Sequence, residues 1–284
     1  MKDQQRYVWL AVMAVFLAVC TGLAWAEHQA AEPAAAVYAQ VEENLFALNA
    51  EPSAQTDGFA IEVLGIGEEH PPKRVLIYHT HTYEAFEQTD DSRYQETEKW
   101  RTADSAHNMV RVGEELSALL RSLGMEVVHD VTAFEPPVLS SAYARSLEML
   151  RRRQAAGENY DLYIDLHRDA YIESQKGPNT VRTASGEAAR LMVLIGRGDG
   201  QTGQGFDEKP DWEKNLTYAE KITVALNEQA EGLCRDVCVK SGRYNQHVDD
   251  CCILIEAGNN RNTLNQVLAA MPYLADAIKQ SLGV

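Results

Sequence analysis

The sequence predicts an α/β fold, with a mainly parallel sheet flanked by helices. Three apolar runs of strand character, at residues 75–78, 161–166 and 252–255, are separated by stretches with apolar residues at helical spacing. Strands that alternate with helices of about 15 to 20 residues are typical of parallel sheets. A chain of 284 residues is long enough for one large domain, or for one domain with an appendage.

Residues 1–26 predict a membrane anchor. The apolar run from Tyr7 to Ala26 is about 20 residues long, which is enough to cross a bilayer as a helix. Lys2 and Arg6 precede this run, so the positive-inside rule places the rest of the chain outside the cytoplasm. The end of the run also resembles a signal-peptidase site, which leaves a cleaved signal peptide as the alternative. We expect a retained single-pass helix because the run is longer than an ordinary signal sequence.

Residues 27–72 predict a stalk or linker, and residues 73–284 predict the folded domain. The stalk is rich in Ala, Glu and Gln with scattered Pro, and it ends at the pair Pro71-Pro72. Within the domain, the first helix is predicted to start at a cap on Asp104 or Ser105 and to stop at Gly124. The remaining periodic stretches predict strands at 125–128 and 190–195 and helices at 104–123, 140–156, 212–231 and 263–282.

The charge and the cysteine spacing exclude two classes of site. A formal charge of −16 and a pI near 4.9 disfavour a nucleic-acid partner, since proteins that bind nucleic acid concentrate Lys and Arg on one face. The basic run 151–153 falls late in a helical pattern, where cations suit the helix dipole. The cysteines lack the spacing of a zinc finger or ribbon, so we expect buried thiols or a disulfide between the two late pairs. They are Cys20, Cys234, Cys238, Cys251 and Cys252.

Each of the three main strand-like runs ends in reactive side chains. His79, His81 and Glu84 follow the first run, His167 follows the second, and Glu256 follows the third. The carboxyl ends of parallel strands lie along one edge of a sheet, so we expect these side chains to meet there. Residues two apart on an extended chain point the same way, which predicts a shared face for the two early histidines. Imidazole nitrogens and carboxylate oxygens are suitable ligands for zinc.

Several short motifs, in a fixed order along residues 73–283, carry a family resemblance. They are Ile77-Tyr-His-Thr-His-Thr82 with Glu84, Asn108 with Val112-Gly113, Asp165-Leu-His-Arg-Asp169, Trp212-Glu213 with Asn215, Tyr244-Asn-Gln246, and Leu254-Ile-Glu-Ala-Gly258 with Asn262-Thr263-Leu264. With these motifs the chain resembles the stage II sporulation protein P family of membrane-anchored cell-wall hydrolases. That family is in turn similar to zinc-dependent N-acetylmuramoyl-L-alanine amidases, so the resemblance implies an amidase-like fold and a Zn²⁺ cofactor.

The resemblance also implies which residues hold the zinc. The amidases place one zinc histidine after the first strand and another after a central strand. His167 matches the second, and His81 or His79 matches the first. The third ligand remains open between Glu84, Asp104 and His107.

Hydrolysis of the amide between N-acetylmuramic acid and L-alanine is the reaction that the resemblance implies. Zinc would activate a water molecule, and Glu256 would take its proton and return it to the leaving amine. Arg168 would either stabilise the oxyanion or form an ion pair with Asp165 or Asp169. Of those two acids, Asp165 is expected to point away from His167, so Asp169 is the one favoured as a support for that imidazole.

Asn245 and Gln246 are candidates to line the substrate groove, with hydrogen bonds that order their own loop as the alternative. The resemblance further implies engulfment during sporulation, with an extracytoplasmic domain anchored in the mother-cell membrane and stage II sporulation proteins D and M as partners. Two other hypotheses about the function compete with that of an amidase. One is a catalytically degenerate scaffold that binds the wall, and the other is a metal peptidase that cuts the cross-links between stem peptides.

Overall fold

The computed structural model describes residues 71–284, apart from 172, 174–177, 185, 201 and 204. Its strands are β1 (Arg74–Tyr78), β2 (Glu126–His129), β3 (Leu162–Asp169), β4 (Thr180–Thr183), β5 (Gly186–Ala189), β6 (Leu191–Gly196), β7 (Cys238–Lys240) and β8 (Cys252–Asn259). Its α-helices are α1 (Met109–Ser122), α2 (Ala142–Ala155), α3 (Trp212–Gln229), α4 (Leu264–Leu268) and α5 (Met271–Leu282).

Six strands form one mixed sheet in the order β2-β1-β3-β8-β6-β7. Strands β2, β1, β3 and β8 run parallel to one another, whereas β6 is antiparallel to β8 and β7 follows the direction of β6. The mainly parallel sheet predicted from the sequence is therefore confirmed. The separate hairpin β4–β5 and the short strand β7 were not predicted.

Helices cover both faces of the sheet, and the alternation of side chains along each strand decides which face a residue joins. Val75 and Ile77 belong to the larger core, which includes residues of α1, α3, α4 and α5. Leu76 and Tyr78 point the other way, into a smaller core with Leu150 of α2. The sheet is thus the middle layer of three. Successive residues of a strand point alternately to one helix layer and to the other.

Two predicted helices begin or continue differently in the structure. Helix α1 begins at Met109 instead of near Asp104, because the Asn108 side chain accepts a hydrogen bond from the Val110 amide and caps the helix there. The predicted helix 263–282 is split into α4 and α5. A capping box between Thr263 and Gln266 starts the first of them.

The predicted membrane anchor and stalk lie outside the described residues. Among the residues that the structure does describe, no helix has both the length and the apolar character needed to span a bilayer. The four late cysteines lie within the described part of the chain. All of them are free thiols, so the structure contains no disulfide between the two late pairs. They are Cys234, Cys238, Cys251 and Cys252.

A pair of histidines joins the sheet to α1. The side chain of His79 lies on the same face of the sheet as those of Val75 and Ile77. Its Nε2 lies 2.8 Å from the Nε2 of His129 at the end of β2. Gly113 of α1 lies directly over this pair, and a Cβ on Gly113 would come within 2.4 Å of His129 Nε2 and 2.6 Å of His79 Nε2. The absence of a side chain at position 113 therefore allows the helix to approach the sheet.

Replacement of Gly113 by Ala is expected to destabilise the domain by about 2 kcal/mol, because forcing extra volume into a packed core costs more than the helix propensity of Ala returns. Equilibrium unfolding of the variant in denaturant measures this loss. Ser117→Ala on the same helix is the control, since Ser117 Oγ is buried without a hydrogen-bond partner in the described structure. An unchanged or increased stability of Gly113→Ala would show that the helix does not depend on this contact.

Candidate active site

The carboxyl ends of β1, β3 and β8 lie side by side, as the sequence predicted. His167 of β3 and Glu256 of β8 occupy paired positions in the ladder between these strands. Tyr163 and Cys252, four residues earlier on the same two strands, pack in the smaller core beneath α2. Because side chains alternate along a strand, His167 and Glu256 lie on that same face of the sheet. The edge of the sheet under α2 therefore brings an imidazole and a carboxylate together.

His167 lies between two carboxylates. Its Nε2 is 2.8 Å from Asp165 Oδ1, and its Nδ1 is 3.5 Å from Glu84 Oε2. Burial opposes a positive charge on the imidazole, yet the negative charges of Asp165 and Glu84 raise the pKa of His167 well above its ordinary value. The expectation that Asp165 points away was wrong, since residues two apart on a strand share a face.

Asp165 is itself held in place from the first strand. It is almost fully buried and accepts hydrogen bonds from the backbone amide of Thr80, at 2.8 Å, and from the Thr80 hydroxyl, at 2.7 Å. Asp169, which the sequence favoured as the support for His167, instead pairs with Arg235 at 2.7 Å. Asp165 is therefore the carboxylate that lies beside His167 Nε2 and orients the imidazole ring.

Glu84 is a buried acid that stays ionised. Its Oε2 accepts a hydrogen bond of 3.1 Å from the backbone amide of Arg168. Burial by itself would raise the pKa of Glu84, but contact with His167 and the positive charges nearby lower that pKa to about 2. A carboxylate that is ionised and lies beside an imidazole is suited to bind a cation.

His81 stands on the turn after β1, facing His167. The two ring centroids are 5.2 Å apart, and the ring of Tyr143 from α2 lies 5.6 Å from that of His81. The Nδ1 of His81 is 3.4 Å from Oε1 of the buried Glu135. The structure therefore brings together His81, His167 and Glu84 among the predicted zinc ligands.

His79 is placed elsewhere. Its Nδ1 lies 2.8 Å from the carbonyl oxygen of Leu166, and its Nε2 is engaged with His129. Burial and the charge of His129 lower the pKa of His79 to about 3, so the ring is neutral. The prediction that His79 and His81 share a face was wrong, because β1 ends at Tyr78 and the chain turns before His81.

Two of the three candidates for the remaining zinc ligand pair with each other instead. The Oδ2 of Asp104 lies 2.9 Å from the Nδ1 of His107, and Asp104 is exposed at the surface. Neither makes an observed contact with His167 in the described structure, whereas Glu84 does. Glu84 is therefore the candidate that the geometry favours.

Glu256 combines deep burial with a free carboxylate oxygen. It is 8% exposed, and its Oε2 has no hydrogen-bond partner in the described part of the chain. Burial raises the pKa of Glu256 to about 7, the charge of His167 opposes this rise, and the charge of Glu84 adds to it. At neutral pH this carboxyl group can therefore both accept and release a proton.

Arg168 uses its guanidinium to hold a loop. The side chain is buried and donates from Nε to the carbonyl oxygen of Ala85, at 3.0 Å, and from Nη2 to that of Trp100, at 3.1 Å. No ion pair with Asp165 or Asp169 is among its described contacts, and the predicted oxyanion role stays a prediction. These bonds fix the segment that carries Glu84.

Asn245 and Gln246 make hydrogen bonds that order their own turn. Asn245 Nδ2 donates to the carbonyl oxygen of Tyr143 at 2.8 Å, and Gln246 binds the amide of Gly196 and the carbonyl oxygen of Leu194, both at 2.8 Å. Both side chains are buried. This is the alternative that the sequence left open, and the substrate-binding role of these two residues stays a prediction.

An aromatic cleft opens beside the cluster, a feature that the sequence did not reveal. Its volume is about 430 Å³, and it lies between the start of α2 and the turn after β7. Tyr143 forms a wall shared with the cluster, since its ring is stacked on that of His167 at 6.4 Å and meets Tyr244 at 5.9 Å. The other residues that line the cleft are Ser140, Ala144, Leu147, Phe206, Gly242, Arg243 and Asn245.

The residue types of the cluster fit zinc, although their side chains do not form a preassembled site. Two imidazoles and an ionised carboxylate are the donors of known zinc centres. Buried polar atoms that make no hydrogen bond concentrate here, namely Glu256 Oε2, His81 Nδ1 and His167 Nε2, of which the two nitrogens are in ion-pair contact with a carboxylate. In the described part of the chain, however, no group of three or more His, Cys, Asp or Glu side chains stands ready to hold a metal ion.

Comparison of the sequence with known families and proteins identifies relatives. The model of the stage II sporulation protein P family matches residues 26–279. Stage II sporulation protein P of Bacillus subtilis (strain 168) is 25% identical over an alignment of 232 residues, and the match covers 75% of this chain and 54% of that protein. The chain thus spans about half the length of the curated relative it matches.

Solved structures with a similar fold include two amidases. The CwlD amidase from Clostridioides difficile, in complex with the GerS lipoprotein, has a TM-score of 0.48 at 12% identity, and the match covers 74% of this chain and 98% of that chain. N-acetylmuramoyl-L-alanine amidase AmiC2 of Nostoc punctiforme has a TM-score of 0.43 at 14% identity, with coverage of 74% and 94%. Similarities at this level carry no argument about the reaction.

The raised pKa of Glu256 predicts a pH-dependent effect of Glu256→Gln on stability. Between pH 4.5 and about 7 the folded protein retains a proton that the unfolded chain has lost, so the stability of the wild type falls as pH rises through this window. Gln carries no charge, so the variant is expected to be more stable than wild type above pH 7, by up to about 3 kcal/mol. Near pH 4.5 the two proteins should be equal.

Denaturant unfolding of the metal-free proteins at pH 4.5 and pH 8 measures this difference. Glu148→Gln, at an exposed position of α2, is the matched control and should show no such dependence on pH. A stability difference between Glu256→Gln and wild type that is the same at both pH values would contradict a raised pKa at Glu256.

Proposed function

Because the chain belongs to the stage II sporulation protein P family, we propose that it is a peptidoglycan hydrolase that cleaves the amide between N-acetylmuramic acid and L-alanine. The observation that carries this proposal is Glu256, a buried carboxyl group with a pKa of about 7 that pairs across the ladder with His167. A scaffold has no need of an acid poised to exchange protons at neutral pH, so the site favours a hydrolase over a degenerate wall-binding protein.

Zinc is the proposed cofactor, held by His81, His167 and Glu84. When bound, it supplies a Lewis acid that activates water and polarises the scissile carbonyl. The ionised state of Glu84 and the orientation of His167 by Asp165 prepare the donors for a cation. The ring of His81 and the carboxylate of Glu84 would have to turn toward a common point near His167.

Glu256 is the proposed general base and general acid. It takes a proton from the attacking water, whose oxygen forms a bond with the lactyl carbonyl carbon. The bond between that carbon and the alanine nitrogen then breaks, and Glu256 returns the proton to the nitrogen. The second proton of the water passes from the new lactyl carboxyl group to the amine, so the products are a lactyl carboxylate on the sugar and a stem peptide with a protonated amino terminus.

The aromatic cleft beside Tyr143 is the proposed binding surface for the wall polymer. It adjoins His81 and His167 through the Tyr143 ring, and Tyr244 forms part of its opposite wall. A substrate whose scissile amide lies at the cluster would extend into this cleft. Asn245 fixes the distance between the two walls, because its side chain ties the turn after β7 to α2.

The cellular setting is also a proposal. The domain would act outside the cytoplasm during engulfment, anchored by residues 1–26 and assisted by stage II sporulation proteins D and M. These expectations come from the family resemblance.

Replacement of the proposed ligands or of the proposed base is expected to reduce hydrolysis strongly. His81→Ala and His167→Ala should bind zinc much more weakly and lose activity for that reason. Glu256→Gln should retain zinc while its rate of hydrolysis falls by about 10²- to 10⁴-fold, the usual contribution of a general base. Zinc content of the full-length proteins and release of stem peptides from purified cell wall measure these effects, and His107→Ala, outside the cluster, is the matched control.

The products separate the competing functions. Stem peptides with free L-alanine amino groups identify an amidase, whereas severed cross-bridges on intact muramoyl peptides identify an endopeptidase. Activity equal to wild type in both His81→Ala and His167→Ala would remove the zinc mechanism. Full function of Glu256→Gln in sporulating cells would favour the scaffold.

A further inference from the structure

We propose that Glu135 is a positioning residue for His81, and that Arg101 holds Glu135 in place for this role. The proposal rests on the zinc site of the proposed function and adds a residue to it. Neither residue belongs to a motif that the sequence analysis singled out. Both lie on connecting segments, Arg101 before α1 and Glu135 between β2 and α2.

Three buried polar atoms meet at this point. Glu135 Oε1 lies 3.4 Å from His81 Nδ1, and the same oxygen is in contact with Arg101 Nη2. In the described structure each of these atoms is buried, and their contacts with one another are ion-pair contacts in which none of the three makes a hydrogen bond. Glu135 is only 6% exposed, so solvent does not compensate its charge, and the guanidinium of Arg101 does.

The same group is tied to a second proposed zinc ligand through the backbone. Residue 101 forms an antiparallel bridge with Glu84, supported by the hydrogen bond of 2.9 Å from the Ala85 amide to the Trp100 carbonyl oxygen. Arg101 therefore reaches Glu135 from a position fixed opposite Glu84. The placement of His81 and that of Glu84 are coupled through one ion pair.

A carboxylate on one imidazole nitrogen determines the tautomer and the direction of the ring. With its proton on Nδ1, toward Glu135, His81 would have its lone pair on Nε2, which would then be the nitrogen available to a metal. Asp165 is in a comparable contact with His167, but on Nε2, which leaves the Nδ1 of His167 toward Glu84. Each of the two proposed zinc histidines thus has its own carboxylate, one from the sheet and one from a loop.

A purely structural ion pair between two loops is the alternative, and a double-mutant cycle separates the two roles. The quantity measured is the zinc affinity of the full-length protein, by competition with a chromophoric chelator. Glu135→Gln is expected to weaken zinc binding about 10- to 100-fold, the usual effect of removing such a partner. In a His81→Ala background, the same change is expected to have no further effect, because Glu135 acts through His81.

The control variant is Glu98→Gln. Glu98 is an exposed acid that lies 3.8 Å from the same guanidinium, so this variant makes the same chemical change next to Arg101 without touching His81. Its zinc affinity should equal that of wild type. If Glu135→Gln does not fold, as judged by thermal unfolding of the metal-free protein, Glu135→Asp replaces it in the cycle, since a shorter carboxylate moves away from His81 but keeps its charge.

The possible outcomes are distinct. Equal zinc affinity of wild type and Glu135→Gln overturns the proposal, and so does an equal loss in the wild-type and His81→Ala backgrounds. Both results would leave the proposed zinc site intact, because the wild type still binds the metal. Failure of the wild type itself to bind zinc would overturn the site and this inference together.

Discussion

The register between β3 and β8 is the constraint on which the rest of the site depends. It pairs His167 with Glu256 and directs both side chains to the face beneath α2. A shift of one residue in either strand would turn one of the two into the opposite core, because side chains alternate along a strand. Hydrogen bonds of the parallel ladder, and not contacts between the two side chains, therefore set their spacing.

Both carboxyl groups at this edge are buried, and their different contacts separate them into two roles. Glu84 has its pKa lowered to about 2 beside His167 and the amide of Arg168, whereas Glu256 has its pKa raised to about 7 where one oxygen has no partner in the described structure. Two chemically similar acids a short distance apart thus differ in charge at neutral pH. Such a separation is how enzymes divide cation binding from proton transfer.

Much of the fold and part of the site follow from the sequence alone. The periodic runs predicted the parallel strands, because helical connections between strands favour parallel pairing. Since parallel strands end at the same edge, the runs also predicted that His167 and Glu256 lie together. The direction of the His79 and His81 side chains could not be predicted, because it depends on where β1 ends. The strand ends at Tyr78, and the chain turns before His81. Glu135 gave no signal, because its contact with His81 joins segments far apart in the chain.

The close approach of α1 to the sheet has a consequence for how related sequences can vary. The two imidazoles at positions 79 and 129 occupy the space that a side chain at position 113 would need. A larger residue over the sheet becomes tolerable only when one of these rings gives way to a smaller group. The size of the side chain that position 113 can carry is therefore set by the groups at positions 79 and 129.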